Sequence, residues 1–134
     1  MTLTYMLDSN VCIAAMRAAD GELFNRLQSA KPTLCISTVT LHELLHGAEN
    51  AHRSSQEKGR VFALTSLLKI LDFDAEAANH SGQIHATLAK SGQIIGAYDM
   101  LIAGHARSRG LTVVTNNLKE FARVEGLRCE DWLA

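Results

Sequence analysis

"AYDMLIAGHARSRGLTVVTNN", residues 97–117, runs from a helix straight into a strand. Positions 98, 101, 102 and 106 are apolar and fall on one helical face, and the pattern stops at Gly110. Leu111–Thr115 then reads as the clearest strand in the chain, and two asparagines, Asn116 and Asn117, end it. The same alternation continues in both directions. Upstream, "DAEAANHSGQIHATLAKSG" (74–92) is a helix with Asp74 as N-cap and Gly92 as C-cap, preceded by a strand in "LLKILDF" (67–73). "TLCIS" (33–37) precedes the helix carrying His42 and Glu43, and "LTYML" (3–7) stops at Asp8 before the helical "NVCIAAMRAA" (10–19). Downstream, "NNLKEF" leads to a last short strand near "LRCED" (127–131). Strands alternating with helices predict an α/β domain with a mostly parallel, helix-covered central sheet.

Composition agrees with one compact domain over residues 1–134. The 134 residues are 47% hydrophobic and 20% charged, enough apolar side chain for a continuous core. Thirteen Lys and Arg against fourteen Asp and Glu leave a formal net charge of -1, so no global basic field marks a nucleic-acid binder. Contact with nucleic acid therefore has to come from local patches or a metal. Three cysteines, Cys12, Cys35 and Cys129, form no CxxC pair, which points to a reduced, cytoplasmic setting with each as a small core residue. No apolar stretch is long enough to span a bilayer, and the expectation is a soluble protein.

In an open parallel sheet the functional crevice lies beyond the carboxyl ends of the strands. Asp8 follows the first strand, and Asn116 and Asn117 follow Leu111–Thr115. Glu43 sits one turn into the helix after the second strand, and Asp99 in the first turn of the helix after "GQIIGAY". Carboxylates from three distant parts of the chain thus converge at one end of the sheet. Left unpaired they would raise one another's pKa values, and a divalent cation removes that conflict. Oxygen-only ligands suit Mg²⁺ or Mn²⁺ rather than zinc.

"MLDSN" (6–10), Glu43 in "TLHELLHGAE", "AYDMLIAGHARSRGL" (97–111) and "VVTNNLKEF" (113–121), in that order and spacing, resemble the PIN-domain ribonucleases, most closely the VapC toxins of type II toxin–antitoxin modules. The resemblance covers essentially the whole chain. It implies a PIN-like α/β/α sandwich in which Asp8, Glu43 and Asp99 hold Mg²⁺ or Mn²⁺, making the protein a metal-dependent endoribonuclease. It further implies homodimers, a VapB-like antitoxin whose C-terminal tail blocks the site, higher toxin–antitoxin oligomers, and contact with operator DNA only through that antitoxin. The subgroup sharing "AGHARSRGL…VTNN…EF…GL…DW" resembles endonucleases that cut initiator tRNA in the anticodon stem-loop. There are two departures from the family pattern. Ser9 replaces the usual threonine and keeps its hydroxyl. Asn117 stands where a fourth aspartate is common, leaving Glu120, three residues on, to supply the missing charge.

Two rival readings are distinguishable. His42-Glu43-x-x-His46 matches the helical zinc-hydrolase signature, with both imidazoles on one face. The longer form of that signature needs a glycine at Glu49, and Gly47 comes two residues early. If the helix simply continues, His52 lies about 15 Å along the axis from His42. The histidines therefore read as ordinary surface or core residues. The other rival is a catalytically degenerate module acting only through its antitoxin, which Asn117 keeps open. His80, His85 and His105 have no ligand spacing. Arg107 and Arg109 close a helix and favour its C-terminal dipole, while Lys119 and Arg123 are the better candidates for phosphate contacts.

Overall fold

A computed structural model of the chain describes residues 2–18 and 21–133. Five strands form one sheet: β1 (Tyr5–Leu7), β2 (Leu34–Ser37), β3 (Lys69–Leu71), β4 (Thr112–Val114) and β5 (Cys129–Glu130). Their order is β3-β2-β1-β4-β5 and every pairing is parallel, with Tyr5 beside both Leu34 and Thr112. The helices are α1 (Ser9–Arg17), α2 (Glu22–Ala30), α3 (Thr38–Glu49), α4 (Ser54–Thr65), α5 (Ala75–Lys90), α6 (Ala97–Ser108) and the short α7 (Leu118–Phe121). No helix among the described residues is long and apolar enough to cross a membrane.

Alternation along the strands creates two cores. Met6, Cys35 and Val113 face one way, into a cluster with Ile84 and Leu88 of α5, Ile102, Ala103 and Ala106 of α6, and Phe121 of α7. Leu7, Leu34, Ile36 and Val114 face the other way, against Val11 and Ala15 of α1, Leu27 of α2, Leu44 and Ala48 of α3, and Val61 and Leu64 of α4. A strand buried on both faces needs apolar residues at every position, which is why β1, β2 and β4 read as continuous runs. The expected α/β/α sandwich is what forms, and its sheet is parallel throughout.

Caps fix where the helices begin. Asp8 Oδ1 accepts from Val11 N at 3.0 Å, Ser37 Oγ from Val39 N at 3.0 Å, and Asp74 Oδ1 from Ala77 N at 2.9 Å. Gly92 and Gly110 follow α5 and α6 with φ of 69° and 66°, the left-handed conformation that ends a helix without a Cβ penalty.

Several expectations are refined. α2 and α4 lie in stretches where the sequence pattern assigns no element. α1 ends at Arg17, and the expected extension to Ala19 falls outside the described residues. The strands anticipated over 67–73 and 127–131 shrink to Lys69–Leu71 and Cys129–Glu130. Tyr98, assigned to the apolar face of α6, is 44% exposed, because the helix is buried along Met100 and the run from Ile102 to Ala106. α5 and α6 approach so closely that a Cβ on Gly104 would stand 2.6 Å from Ser81 Cα, Cβ and N.

Candidate active site

The strand order reverses at β1, whose neighbours are β2 on one side and β4 on the other, so the crevice opens past the ends of β1 and β4. Asp8 follows β1 and is only 2% exposed. Besides capping α1, its carboxylate is hydrogen-bonded by Thr115, the fully buried residue after β4. Burial pushes the Asp8 carboxyl up from its ordinary value of 3.8 even so, the hydrogen bonds from Thr115 and the α1 backbone opposing it.

Glu43 reaches the same place from α3. Its Oε1 is buried and has no hydrogen-bond partner, while Ser9 bonds the carboxylate. Burial and then the negative charge of Asp8 raise its pKa, and the Ser9 bond and His42 work against the rise. Asp99, in the first turn of α6, is shifted furthest, up to about 7, first by burial, then by a hydrogen bond and charge from Glu120, then by the charges of Asp8 and Glu43. Glu120 moves the opposite way: the same bond, with help from Asn117 and the Gly96 backbone, holds it below the usual carboxylate range. The two carboxyls therefore keep one proton between them, chiefly on the more buried Asp99. Asn117 ties the group together, donating Nδ2 to Glu120 Oε2 and, at 3.4 Å, to Asp99 Oδ2, with its own N–H on Thr115 Oγ1 at 2.9 Å. Gly96 N donates to Glu120 Oε1 at 3.2 Å.

Residues 8, 43, 99, 117 and 120 thus meet in one crevice. Ser9 and Thr115 join them as hydroxyl partners of the carboxylates, and Asp131 contributes negative charge near Asp8. Sequence reasoning missed Thr115, whose bond to Asp8 depends on β4 lying beside β1. Arg123 lies near Glu120 and donates Nη1 to Ile94 O at 3.2 Å. Arg107 is occupied elsewhere: Nε bonds His80 Nδ1 at 2.9 Å, Nη2 bonds Gln83 Oε1 at 2.9 Å, and Nη1 bonds Glu125 O at 3.0 Å. His105 is not a solvent group either, being 0% exposed.

The zinc-hydrolase arrangement does not assemble. His42 Nε2 is 3.1 Å from Tyr98 Oη, and His46 Nε2 is 3.2 Å from Asn50 Nδ2. α3 ends at Glu49, before His52. Among the described residues no three His, Cys, Asp or Glu side chains stand, as posed, close enough to hold a metal. The acidic crevice is nevertheless chemically suited to a hard cation. It offers oxygen donors only, one of them buried and unpartnered, and a carboxyl that keeps a proton in place of a positive charge.

A parallel α/β/α fold with an acidic crevice at its switch point is the architecture of a nuclease class, and the PIN domain family matches residues 5–127. The chain is 46% identical over 130 residues to a tRNA(fMet)-specific endonuclease VapC of Shigella flexneri, covering 97% of this chain and 98% of the relative. It superposes with a TM-score of 0.93 on DNA-bound VapBC from Salmonella typhimurium, at 46% identity over 97% of this chain and 98% of that one. VapBC2 from Rickettsia felis, bound to a promoter DNA fragment, gives a TM-score of 0.91 at 34% identity, covering 98% and 99% of the two chains. The protein belongs to the PIN-domain family and, within it, to the VapC ribonucleases.

Proposed function

We propose that residues 1–134 act as a single nuclease domain that hydrolyses RNA phosphodiesters with Mg²⁺ or Mn²⁺ held by Asp8, Glu43 and Asp99. The observation that carries this reading is the buried, partnerless Oε1 of Glu43 beside two further carboxylates whose proton affinity is raised by burial and mutual repulsion. When bound there, a divalent cation would supply Lewis-acid stabilisation of charge on the phosphate and a water that gives up its proton more readily than bulk water. The chain's own residues set the stage. Val11 N and Thr115 fix Asp8, Ser9 orients Glu43, and Asn117 with Gly96 N holds Glu120 against Asp99. Water adds to phosphorus in line with the departing 3′-oxygen, leaving 5′-phosphate and 3′-hydroxyl ends.

The similarity to a tRNA(fMet)-specific endonuclease supports initiator tRNA, cut in the anticodon stem-loop, as the substrate. Similarity to VapBC complexes that bind DNA supports a VapB-like antitoxin as partner and promoter DNA as a ligand of the assembly; a cytoplasmic homodimer that reaches operator DNA through the antitoxin completes the reading. An arginine or lysine of the antitoxin tail would enter the crevice, where desolvated carboxylates reward a charged donor. A groove of about 250 Å³ lined by Ile13, Met16, Leu44, Ala48 and Val61 opens beside Glu43 and suits the tail's approach. Sequencing RNA ends after induced expression tests the reading. One new 5′-phosphate end in initiator tRNA is expected, and the absence of any new RNA end overturns it.

A further inference from the structure

The residue before each of two crevice carboxylates carries a ring. Tyr98 precedes Asp99 on α6 and His42 precedes Glu43 on α3. The rings meet across the gap between the helices: besides the 3.1 Å contact of Nε2 with Oη, their centroids are 5.6 Å apart. His46, one turn along α3, lies parallel to His42 within 8°, at 6.2 Å between centroids. Consecutive helical residues point about 100° apart, so side chains next to those entering the crevice stand on its rim. All three rings are exposed and none belongs to either core. Packing therefore does not account for them.

Electrostatics sharpens the point. A net charge of -1 and an acidic crevice provide little overall attraction for a polyanion, so contacts that do not depend on charge have to add to those of local basic side chains and a metal. Aromatic faces stack on unpaired bases of any sequence and are the usual source of such affinity in single-stranded RNA. Resting on the ribonuclease reading above, we propose that Tyr98 is a stacking platform for one unpaired nucleobase next to the scissile phosphate, with the His42 ring packed beside it.

The test uses an RNA hairpin with a single-stranded loop, 2-aminopurine replacing each loop base in turn, and the chain as wild type, Tyr98→Phe and Tyr98→Leu. Binding without metal should quench the probe at one position in wild type and Tyr98→Phe, and not in Tyr98→Leu. With Mg²⁺, Tyr98→Leu should raise KM about ten-fold with kcat nearly unchanged, and Tyr98→Phe should stay within about two-fold. Removing the base at the quenched position should cost wild type the same factor and cost Tyr98→Leu nothing more. If Tyr98→Leu cuts with unchanged KM, or the abasic penalty is equal in both chains, stacking is wrong and the ribonuclease reading stands. If wild type neither binds nor cuts RNA, the ribonuclease reading fails and the stacking proposal falls with it.

Discussion

His105 Nδ1 lies 2.8 Å from Ser37 Oγ, joining α6 to the cap of α3 across 68 residues of sequence. Ser37 Oγ also accepts from Val39 N, so one hydroxyl joins the start of α3 to the His105 ring. The other ring nitrogen, Nε2, is buried without a hydrogen-bond partner. The bond ties together the helices that carry Asp99 and Glu43.

Burial lowers the pKa of His105 below 6.5, with Arg109 adding to the effect and Asp74 and Asp72 opposing it. The folded state therefore binds this proton less tightly than the unfolded chain. The stability gained is complete above pH 6.5 and is lost as pH falls towards the lower folded value. His105→Gln should melt lower than wild type at pH 8, by the loss of a buried hydrogen bond worth about 1 kcal/mol, yet decline less between pH 7 and 5. Parallel pH slopes in thermal melts would show that His105 does not titrate on unfolding.

Asp99 has the opposite sign. Its folded pKa of about 7 exceeds its ordinary 3.8, so its contribution is full below 3.8 and disappears as pH rises through about 7. Asp99→Asn should therefore raise the melting temperature of metal-free protein more at pH 8 than at pH 5, and abolish any further stabilisation by added Mg²⁺. Equal shifts at both pH values would contradict the shared-proton description of Asp99 and Glu120.

Asp8→Asn keeps a side-chain oxygen for Val11 N, and asparagine is as good an N-cap as aspartate. The fold should survive while RNA cleavage falls by at least about a hundred-fold, the scale expected when charge stabilisation is removed from a reacting phosphate. A folded Asp8→Asn chain that still arrests growth would remove Asp8 from the metal site.

Glu120→Gln should lower cleavage and raise the Mg²⁺ concentration giving half-maximal rate, since Glu120 is the acidic group that Asn117 and Gly96 hold against Asp99. Asn117→Asp in the same chain should restore part of the loss. Metal titrations of both single variants and the double variant decide it, and an unchanged Mg²⁺ profile in Glu120→Gln leaves Asp8, Glu43 and Asp99 sufficient.

Gly104→Ala should cost about 1–3 kcal/mol, because the new Cβ would press on Ser81 backbone atoms that cannot retreat. Gly82→Ala, on α5 next to Ser81 but with open space around its Cβ, should be neutral or stabilising by about 0.5–1 kcal/mol. Urea denaturation of the pair separates close helix approach from a general intolerance of α5 and α6 to alanine.

The elements visible in the sequence are those whose burial is strongly patterned. β4 is apolar or β-branched throughout and α5 carries both its cap and its terminal glycine. α4 escaped notice because only Val61, Leu64 and Thr65 of its twelve residues are buried, and Phe62, its largest apolar residue, is 55% exposed. α2 escaped for a similar reason, burying Leu27 alone. The acidic positions were legible because each stands just past a strand or in the first turns of the next helix. Their hydroxyl partners were not. The Thr115 bond to Asp8 exists only because β4 lies beside β1, and nothing local to either segment encodes that pairing.

That pairing also governs when the site can exist at all. β1 is made before its neighbour β4, with six α-helices and two strands between them, so a growing chain can complete β1, β2 and β3 and still lack Asn117, Glu120 and the wall on which Asp8 is held. On the proposed reading, a chain that stops short of β4 has an incomplete site and should not cleave RNA. The docking of β4 against β1 is the step that brings the two halves of the crevice together.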